Sequence, residues 1–168
     1  MSSNMRLTDL QDALLNTQLK KLKKQVPKKM KAAALLDEKL GAIDGICPLP
    51  ADKRITRRGF YWYLFRYDQA AAEGVHRDVF LKAVAAEGVP IGRGYGKAIH
   101  KYPLFQNWKQ PRKYAKAQYR KTHCPVAEDA AVNTVCTIPH QYLLADRKAL
   151  NGIADAIAKV REHIGQLT

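Results

Sequence analysis

Apolar positions recur every three or four residues near the start of the chain, which is the pattern of an amphipathic helix. Segment 8–11 reads Thr-Asp-Leu-Gln and has the form of a capping box, with Thr8 as the N-cap and Gln11 reaching back to it. We therefore predict a helix that begins after Thr8. Its apolar face, which we call the leucine stripe, consists of Leu10, Leu14, Leu15, Leu19 and Leu22.

Pro27 is expected to end or kink this helix, because proline cannot donate the backbone hydrogen bond that a helix interior requires. A second helix is predicted from there to Leu40, with Gly41 as its stop. Seven lysines straddle the break and are expected to lie mostly on solvated faces; they occupy positions 20, 21, 23, 24, 28, 29 and 31.

Beyond residue 41 the pattern alternates between short extended segments and helices. Helices are predicted over residues 77–87, 125–133 and 145–164, and extended segments over 45–50, 59–67, 89–95 and 135–139. Residues 96–123 show no clean period, and a stretch of that length is usually functional or mobile. This order predicts an α/β fold, close to α+β, in which helices cover a small mixed sheet. We divide the chain into linking helices over residues 1–41 and a second unit over residues 42–168.

The length of 168 residues suits one domain with a real core but is short for a complete cofactor enzyme. No apolar run is long enough to span a bilayer, and the start of the chain lacks the basic-then-apolar pattern of a secretion signal. We therefore expect a cytoplasmic protein with no membrane partner. The three cysteines are scattered, so no disulfide framework is predicted.

Charge is the most extreme compositional feature, since 29 basic residues outnumber 15 acidic ones and give a net charge of +14. Such a surface attracts polyanions. Basic and aromatic residues are interleaved between Arg93 and Lys121, where they could clamp phosphates and stack on bases. No RNA-binding motif accompanies them, and aromatic packing anchors are the simpler interpretation. A basic module that binds nucleic acid or another polyanion is the alternative function.

Four residues carry the groups that zinc prefers: His123, Cys124, Cys136 and His140. They lack the close pairing, such as Cys-x-x-Cys, that structural zinc sites usually show. We expect buried thiols and an ordinary histidine here, and no metal site. No pair of carboxylates is spaced for acid–base chemistry either, so the residues alone indicate only a basic globular domain.

Five segments, taken in order, resemble the carboxyl-terminal portion of the StrS/DegT-type sugar aminotransferases. They read NMRLTDLQDALLNTQLKKLKKQV, GFYWYLFRYD, HRDVFLKAVAAEGVPIGRGYGKAIHKYPLF, CPVAEDA and IPHQYLL. Their family counterparts are the Asn-x-Arg helix, the central aromatic strand, the Arg-Asp helix with its histidine loop, the Cys-Pro-x-Ala-Glu signature and the closing segment. Together they cover nearly the whole chain, and the third and fifth are nearest to members that act on keto-sugars or keto-cyclitols.

This resemblance implies a pyridoxal phosphate enzyme of fold type I, with active sites between the subunits of a homodimer. The motif asparagine, here Asn4, would reach the cofactor phosphate of the neighbouring subunit, with Arg6 close by; an amide and a guanidinium suit a dianionic phosphate. The loop histidine, here His100, would meet the sugar substrate. In the family the Schiff-base lysine lies upstream of the Asn-x-Arg motif, on a large domain. No catalytic residue is therefore expected in this chain, and residues 42–168 would be the small aminotransferase domain.

Two departures from the family pattern affect these expectations. Residues 96–99, Gly-Lys-Ala-Ile, stand where the family usually has prolines and a Leu-His pair, which leaves the aim of His100 open. His76 replaces the serine or threonine that would usefully cap the helix beginning at Arg77.

Asn4 and Arg6 could equally be residues that only lead into the first helix. Three explanations of the short chain are open: a truncated gene product, one half of a split enzyme completed by a separate large-domain chain, or a protein retained for binding polyanions. In the first two, the partner is the large pyridoxal phosphate domain. The leucine stripe should pack partly on that domain and would promote self-association if left exposed.

Overall fold

The computed structural model describes residues 6–107 and 121–167, in which five helices and three strands form around one core. The helices are α1 (Asp9–Gly41), α2 (Arg77–Ala86), α3 (Pro103–Gln106), α4 (Pro125–Asp129) and α5 (Arg147–Glu162). The strands are β1 (Ile46–Pro48), β2 (Trp62–Tyr67) and β3 (Val135–Pro139). Short turns of tighter or wider helix follow at 99–101, 130–134, 140–144 and 164–167.

The three strands form one sheet in the order β1-β2-β3, and both strand pairs are antiparallel. The predicted fold class, a small sheet covered by helices, is confirmed, although the sheet is antiparallel rather than mixed. Tyr63, Phe65 and Tyr67 of β2 point into the core, whereas Trp62 and Leu64 lie on the opposite, partly open face. This alternation follows from the period of two along a strand.

The extended segment expected over residues 89–95 is reduced to a single bridge between Gly92 and Thr137. Gly94 explains why the pairing stops. Its φ is +63°, and a Cβ at this position would meet Thr137 Cγ2 at 3.3 Å and Trp62 at 3.4 Å. The chain can turn this closely over the sheet only because residue 94 has no side chain.

Helix α1 runs without interruption through Pro27, so the prediction of a separate second helix from that residue was wrong. Pro27 is exposed, and water can reach the carbonyl that lost its donor, which lowers the cost of an interior proline. The capping box at the start of the helix is confirmed. The amide N–H of Gln11 donates to Thr8 Oγ1 at 3.3 Å, and the Gln11 side chain accepts from the Thr8 amide at 2.9 Å.

Helix α1 packs on α5 and on the 140–144 turn through the buried face of its second half, whereas the residues of its first half up to Lys24 are exposed. Leu36 and Leu40 are fully buried beside Ile153 and Ile157 of α5 in the core. All five residues of the leucine stripe are exposed, from 42% at Leu22 to 81% at Leu10. The helix is therefore a core element at one end and an unpartnered amphipathic surface at the other.

Caps and helix types depart from expectation at two places. His76 does cap α2, because its Nδ1 accepts from the Asp78 amide at 3.2 Å. The helix predicted over residues 125–133 ends at Asp129 and continues as a wide π turn over Ala130–Thr134.

Within the described part of the chain, no helix is both long enough and apolar enough to cross a membrane.

Candidate functional site

The predicted site residues fall in three different settings. Asn4 lies outside the described residues. Arg6 is exposed and precedes the N-cap of α1. His100 lies in the short turn Ile99–Lys101, and its side chain is only 11% exposed. Among the three, His100 is the one whose surroundings define a site.

One carboxylate, that of Glu128 on α4, organises the surroundings of His100. Glu128 Oε1 accepts from the Cys124 amide at 2.9 Å and lies 2.9 Å from His100 Nε2. Lys101 Nζ at 3.6 Å and His123 Nδ1 at 3.3 Å are further basic groups close to the same oxygen. The Cys124 amide, assisted by His100, Lys101 and His123 and opposed by partial desolvation, lowers the pKa of Glu128 to about 2. Glu128 is thus a carboxylate throughout the physiological range.

The charge on Glu128 fixes the tautomer of His100. A carboxylate can only accept, so the proton of the neutral imidazole sits on Nε2, and Nδ1 is left as an acceptor. The loop around His100 is also braced through its backbone. The side-chain amide of Gln106 donates to the backbone carbonyl of His100, and the Tyr102 hydroxyl donates to the backbone carbonyl of Tyr95. The orientation that the sequence left open is therefore set by Glu128 and this brace.

Arg77 anchors the segment that carries Glu128. Its side chain is 1% exposed, and its guanidinium donates to the carbonyls of Ala131 at 3.1 Å and Val135 at 3.3 Å. The same guanidinium binds Asp78 Oδ1 at 2.9 Å. Helix α2 is thereby tied to the π turn and to the first residue of β3, which are continuous with α4.

Asp78 also forms an ion pair with a second arginine, Arg93. Arg93 Nη1 lies 3.2 Å from Asp78 Oδ2, at the base of the loop that leads to His100. Partial burial raises the pKa of Asp78, but the two guanidinium groups outweigh it and hold the pKa below its usual value. The Arg-Asp pair of the third motif is therefore a structural junction between α2, the His100 loop and β3.

An aromatic cleft of about 520 Å³ lies beside this loop on the open face of the sheet. The rings of Trp62 and Tyr95 meet edge to face at 5.0 Å, and Tyr95 is 66% exposed. Ala131, from the π turn that Arg77 holds, forms part of the wall. An aromatic wall of this kind suits the apolar face of a ring-shaped ligand.

Lys29 is the residue that sequence reasoning misjudged most clearly. It was expected on a solvated face but is 3% exposed, with Nζ 3.0 Å from His140 Nδ1. Positions 29, 32, 33, 36 and 40 share one face of α1, so the helical period itself could have identified Lys29 as buried. Glu128 was likewise missed, although it is the last residue of the Cys-Pro-x-Ala-Glu signature.

The four candidate zinc ligands lie in three different places. His140 binds Lys29, whereas His123 and the backbone amide of Cys124 contact Glu128. Cys136 faces the core, where burial raises the pKa of its thiol to about 12. Within residues 6–107 and 121–167, no three such side chains converge as a metal site would require. Residues 108–120 of the basic, aromatic segment lie outside the described residues.

The described residues do not by themselves form a site for pyridoxal phosphate. Lys29 is the one buried lysine among them, its amine is held by His140, and no acidic residue lines its groove to face a pyridine nitrogen. A complete cofactor site would need groups from elsewhere.

Comparison with solved structures places the fold among aminotransferases. The crystal structure of 3-amino-5-hydroxybenzoic acid synthase matches 96% of this chain with a TM-score of 0.76 and 28% identity, over 41% of its own length. PseC of Helicobacter pylori, an aminotransferase of pseudoaminic acid biosynthesis, shares the fold with a TM-score of 0.72 at 21% identity.

The model of the DegT/DnrJ/EryC1/StrS aminotransferase family matches residues 1–158, and the chain belongs to that family. The L-glutamine:2-deoxy-scyllo-inosose aminotransferase of Micromonospora echinospora is 36% identical over 164 residues. The 3-amino-5-hydroxybenzoate synthase of Amycolatopsis mediterranei is 30% identical over 157 residues. Although these matches cover 95% and 93% of the chain, they span only 38% and 39% of the two relatives. The cofactor of the family is pyridoxal phosphate.

Proposed function

We propose that this chain is the carboxyl-terminal domain of a pyridoxal phosphate aminotransferase that acts on a keto-cyclitol or keto-sugar. By itself it is catalytically incomplete, because the Schiff-base lysine belongs to a large domain that this sequence does not include. Support comes from the order of the five motifs and from the inosose aminotransferase among its relatives. The three-stranded domain then serves to position substrate-contacting groups over a cofactor held elsewhere.

His100 carries the proposal, since it is held in a single tautomer at a loop that the family uses for its substrate. With Nε2–H bound to Glu128, the free Nδ1 can accept a hydrogen bond from a hydroxyl of a polyol ring. The charge on Glu128 strengthens that acceptor, as carboxylates behind ligand-bound imidazoles do. The neighbouring Trp62–Tyr95 wall would contact the apolar face of the same ring.

The assignment of Asn4 and Arg6 to the cofactor phosphate of the neighbouring subunit is part of the same proposal. An amide and a guanidinium at the entry of α1 would supply hydrogen bonds and positive charge to a dianion. Bound pyridoxal phosphate supplies the chemistry that moves an amino group from the donor to the ketone. The residues of this chain bind and orient around it.

The decisive experiment is a fusion of this chain with the upstream portion of a related enzyme. The upstream portion of the Micromonospora echinospora enzyme is fused ahead of the chain and assayed with L-glutamine and 2-deoxy-scyllo-inosose. We expect turnover by the fusion and none by the 168-residue chain. Turnover by the lone chain would overturn the claim of incompleteness, and an inactive but folded, cofactor-bound fusion would overturn the assignment of substrate class.

The role of His100 is tested within that fusion by a matched pair of histidine variants. H100Q keeps a side-chain N–H near the position of Nε2, where it can still donate to Glu128, but places no acceptor at the position of Nδ1; it should lower kcat/KM for the ketone by roughly tenfold to a hundredfold, the effect of one hydrogen bond to a polar substrate. H123Q makes the same change at a histidine on the same carboxylate that is 72% exposed, and it should leave kcat/KM nearly unchanged. Equal effects of the two variants would contradict the proposed contact.

A further inference from the structure

A groove of about 630 Å³ runs beside the leucine stripe, and a buried cation lies at its floor. The groove is bounded by Leu19 and Leu22 of α1, by Tyr61, and by Lys29 and His140. Lys29 is 3% exposed, and among the described residues its one hydrogen-bond partner is His140. No aspartate or glutamate lines the groove. This is an ammonium without a counter-ion in a largely apolar setting.

Such an arrangement is unfavourable unless something further compensates the charge. Removing an ammonium from water costs several kcal/mol, so buried lysines are almost always paired with an anion. An imidazole nitrogen accepts a hydrogen bond but offers no negative charge. Because Lys29 donates to Nδ1, the neutral ring of His140 carries its proton on Nε2. The groove therefore presents an ammonium and a polarised N–H donor side by side, with the amides of Gln18 and Gln25 on its walls.

We propose that Lys29 and His140 form a binding site for a carboxylate in this groove. One ammonium and one imidazole N–H match the single charge of a carboxylate. A dianionic phosphate would be better served by arginines or several backbone amides, and no arginine lines the groove. The apolar walls fit a carboxylate carried on a short hydrocarbon stem. The high positive charge of the chain further raises the local concentration of small anions.

The wild-type chain provides the first test, because no substitution is needed. The imidazole nitrogens of His140 and the amine of Lys29 are followed by NMR while sodium acetate or L-glutamate is added at constant ionic strength against sodium chloride. We expect a saturable shift with a Kd of about 1–10 mM, the range of one or two charge-assisted hydrogen bonds. No saturable shift of either group would overturn the proposal. Inorganic phosphate binding more tightly than acetate would overturn the choice of a carboxylate.

Two variants locate the effect and a third controls for general charge. K29M and H140N should each abolish the saturable acetate response, whereas K24M removes an exposed lysine of the same helix and should retain it. If K29M does not fold, H140N and the wild-type titration still decide the question. A response that survives H140N, or that is lost in K24M, would show nonspecific anion attraction and sink the site.

Two sources offer a carboxylate to this groove: a free small molecule, and an aspartate or glutamate side chain of a domain packed against it. The fusion with the upstream domain distinguishes the two sources. If His140 still responds to acetate there, the ligand is a free molecule. If its resonance is already shifted and no longer responds, a side chain of the added domain fills the site. An unshifted and unresponsive His140 in the fusion would contradict both sources.

Discussion

Replacing Arg77 with methionine tests whether one buried guanidinium holds the His100 site together. Methionine approximates the volume of the arginine stem, so the substitution removes hydrogen bonds without opening a large cavity. The carbonyls of Ala131 and Val135 lose their donor, at about 1–3 kcal/mol for each acceptor left unsatisfied. Asp78 is 37% exposed, so its lost ion pair adds at most about 1 kcal/mol after solvent screening. We expect R77M to lower the free energy of unfolding by about 3 kcal/mol.

Arg93 supplies a control on the same carboxylate. It binds the other oxygen of Asp78 but is 59% exposed, so R93M should cost less than about 1 kcal/mol. Both variants are measured by urea unfolding at pH 7, with the midpoint and the slope reported separately. The slopes should agree with that of the wild type. A loss below 1 kcal/mol in R77M, or equal losses in the two variants, would refute the view that burial and the two carbonyls make Arg77 the anchor.

Three further outcomes follow from the pKa values and exposures described above. Burial raises the pKa of the Cys136 thiol to about 12, so a disulfide reagent at pH 8 should modify exposed Cys47 promptly and Cys136 only on unfolding; equal rates would contradict this. The pKa of Glu128 is depressed from 4.5 to about 2, so its stabilising effect is complete above pH 4.5 and is lost as the pH falls through 2. Carbon NMR at pH 4 should show an ionised Glu128, and a half-protonated one would contradict the Cys124 hydrogen bond and the neighbouring basic groups as the cause of its low pKa. Finally, L14E should reduce self-association in sedimentation without lowering Tm, because Leu14 is 61% exposed; a wild-type chain that is already monomeric would remove the basis for this expectation.

The sequence predicted the helices and strands well where a pattern of a few neighbouring residues determines the backbone conformation. The Thr8 capping box, the strand Val135–Pro139 and the body of α5 are as predicted, because a cap hydrogen bond and a simple apolar period each act over a few residues. The continuous path of α1 through Pro27 could not be predicted in the same way. Its second half is held by α5, and tertiary packing outweighs the local penalty of a proline.

The chemistry of the site was less accessible than the fold. His100 was proposed through family resemblance, but the tautomer that the proposed substrate contact requires depends on Glu128, twenty-eight residues away in sequence. Lys29 was hidden by the lysines around it, since a basic run looks solvated unless each position is assigned to a helix face. Contacts between residues far apart in the sequence, such as the pair Lys29–His140, carry no local signature at all.

Helix α1 is held in the core by its carboxyl-terminal part, whereas its amino-terminal part, which we call the outer arm, is exposed. The outer arm, from Asp9 to the buried Lys29, is about 30 Å long at 1.5 Å per residue. A tilt of about 5° at Lys29 would therefore displace Asp9 by roughly 2.6 Å, about the length of a hydrogen bond. The position of Asp9 is therefore only as well defined as the packing of Leu36 and Leu40, and a methyl group removed at Leu36, about 40 Å away at 1.5 Å per residue, would displace it. The accuracy with which the amino-terminal end of α1 is placed is thus a property of the core, and a change of bend at Pro27, two residues from the buried Lys29, would move almost the whole exposed part of the helix.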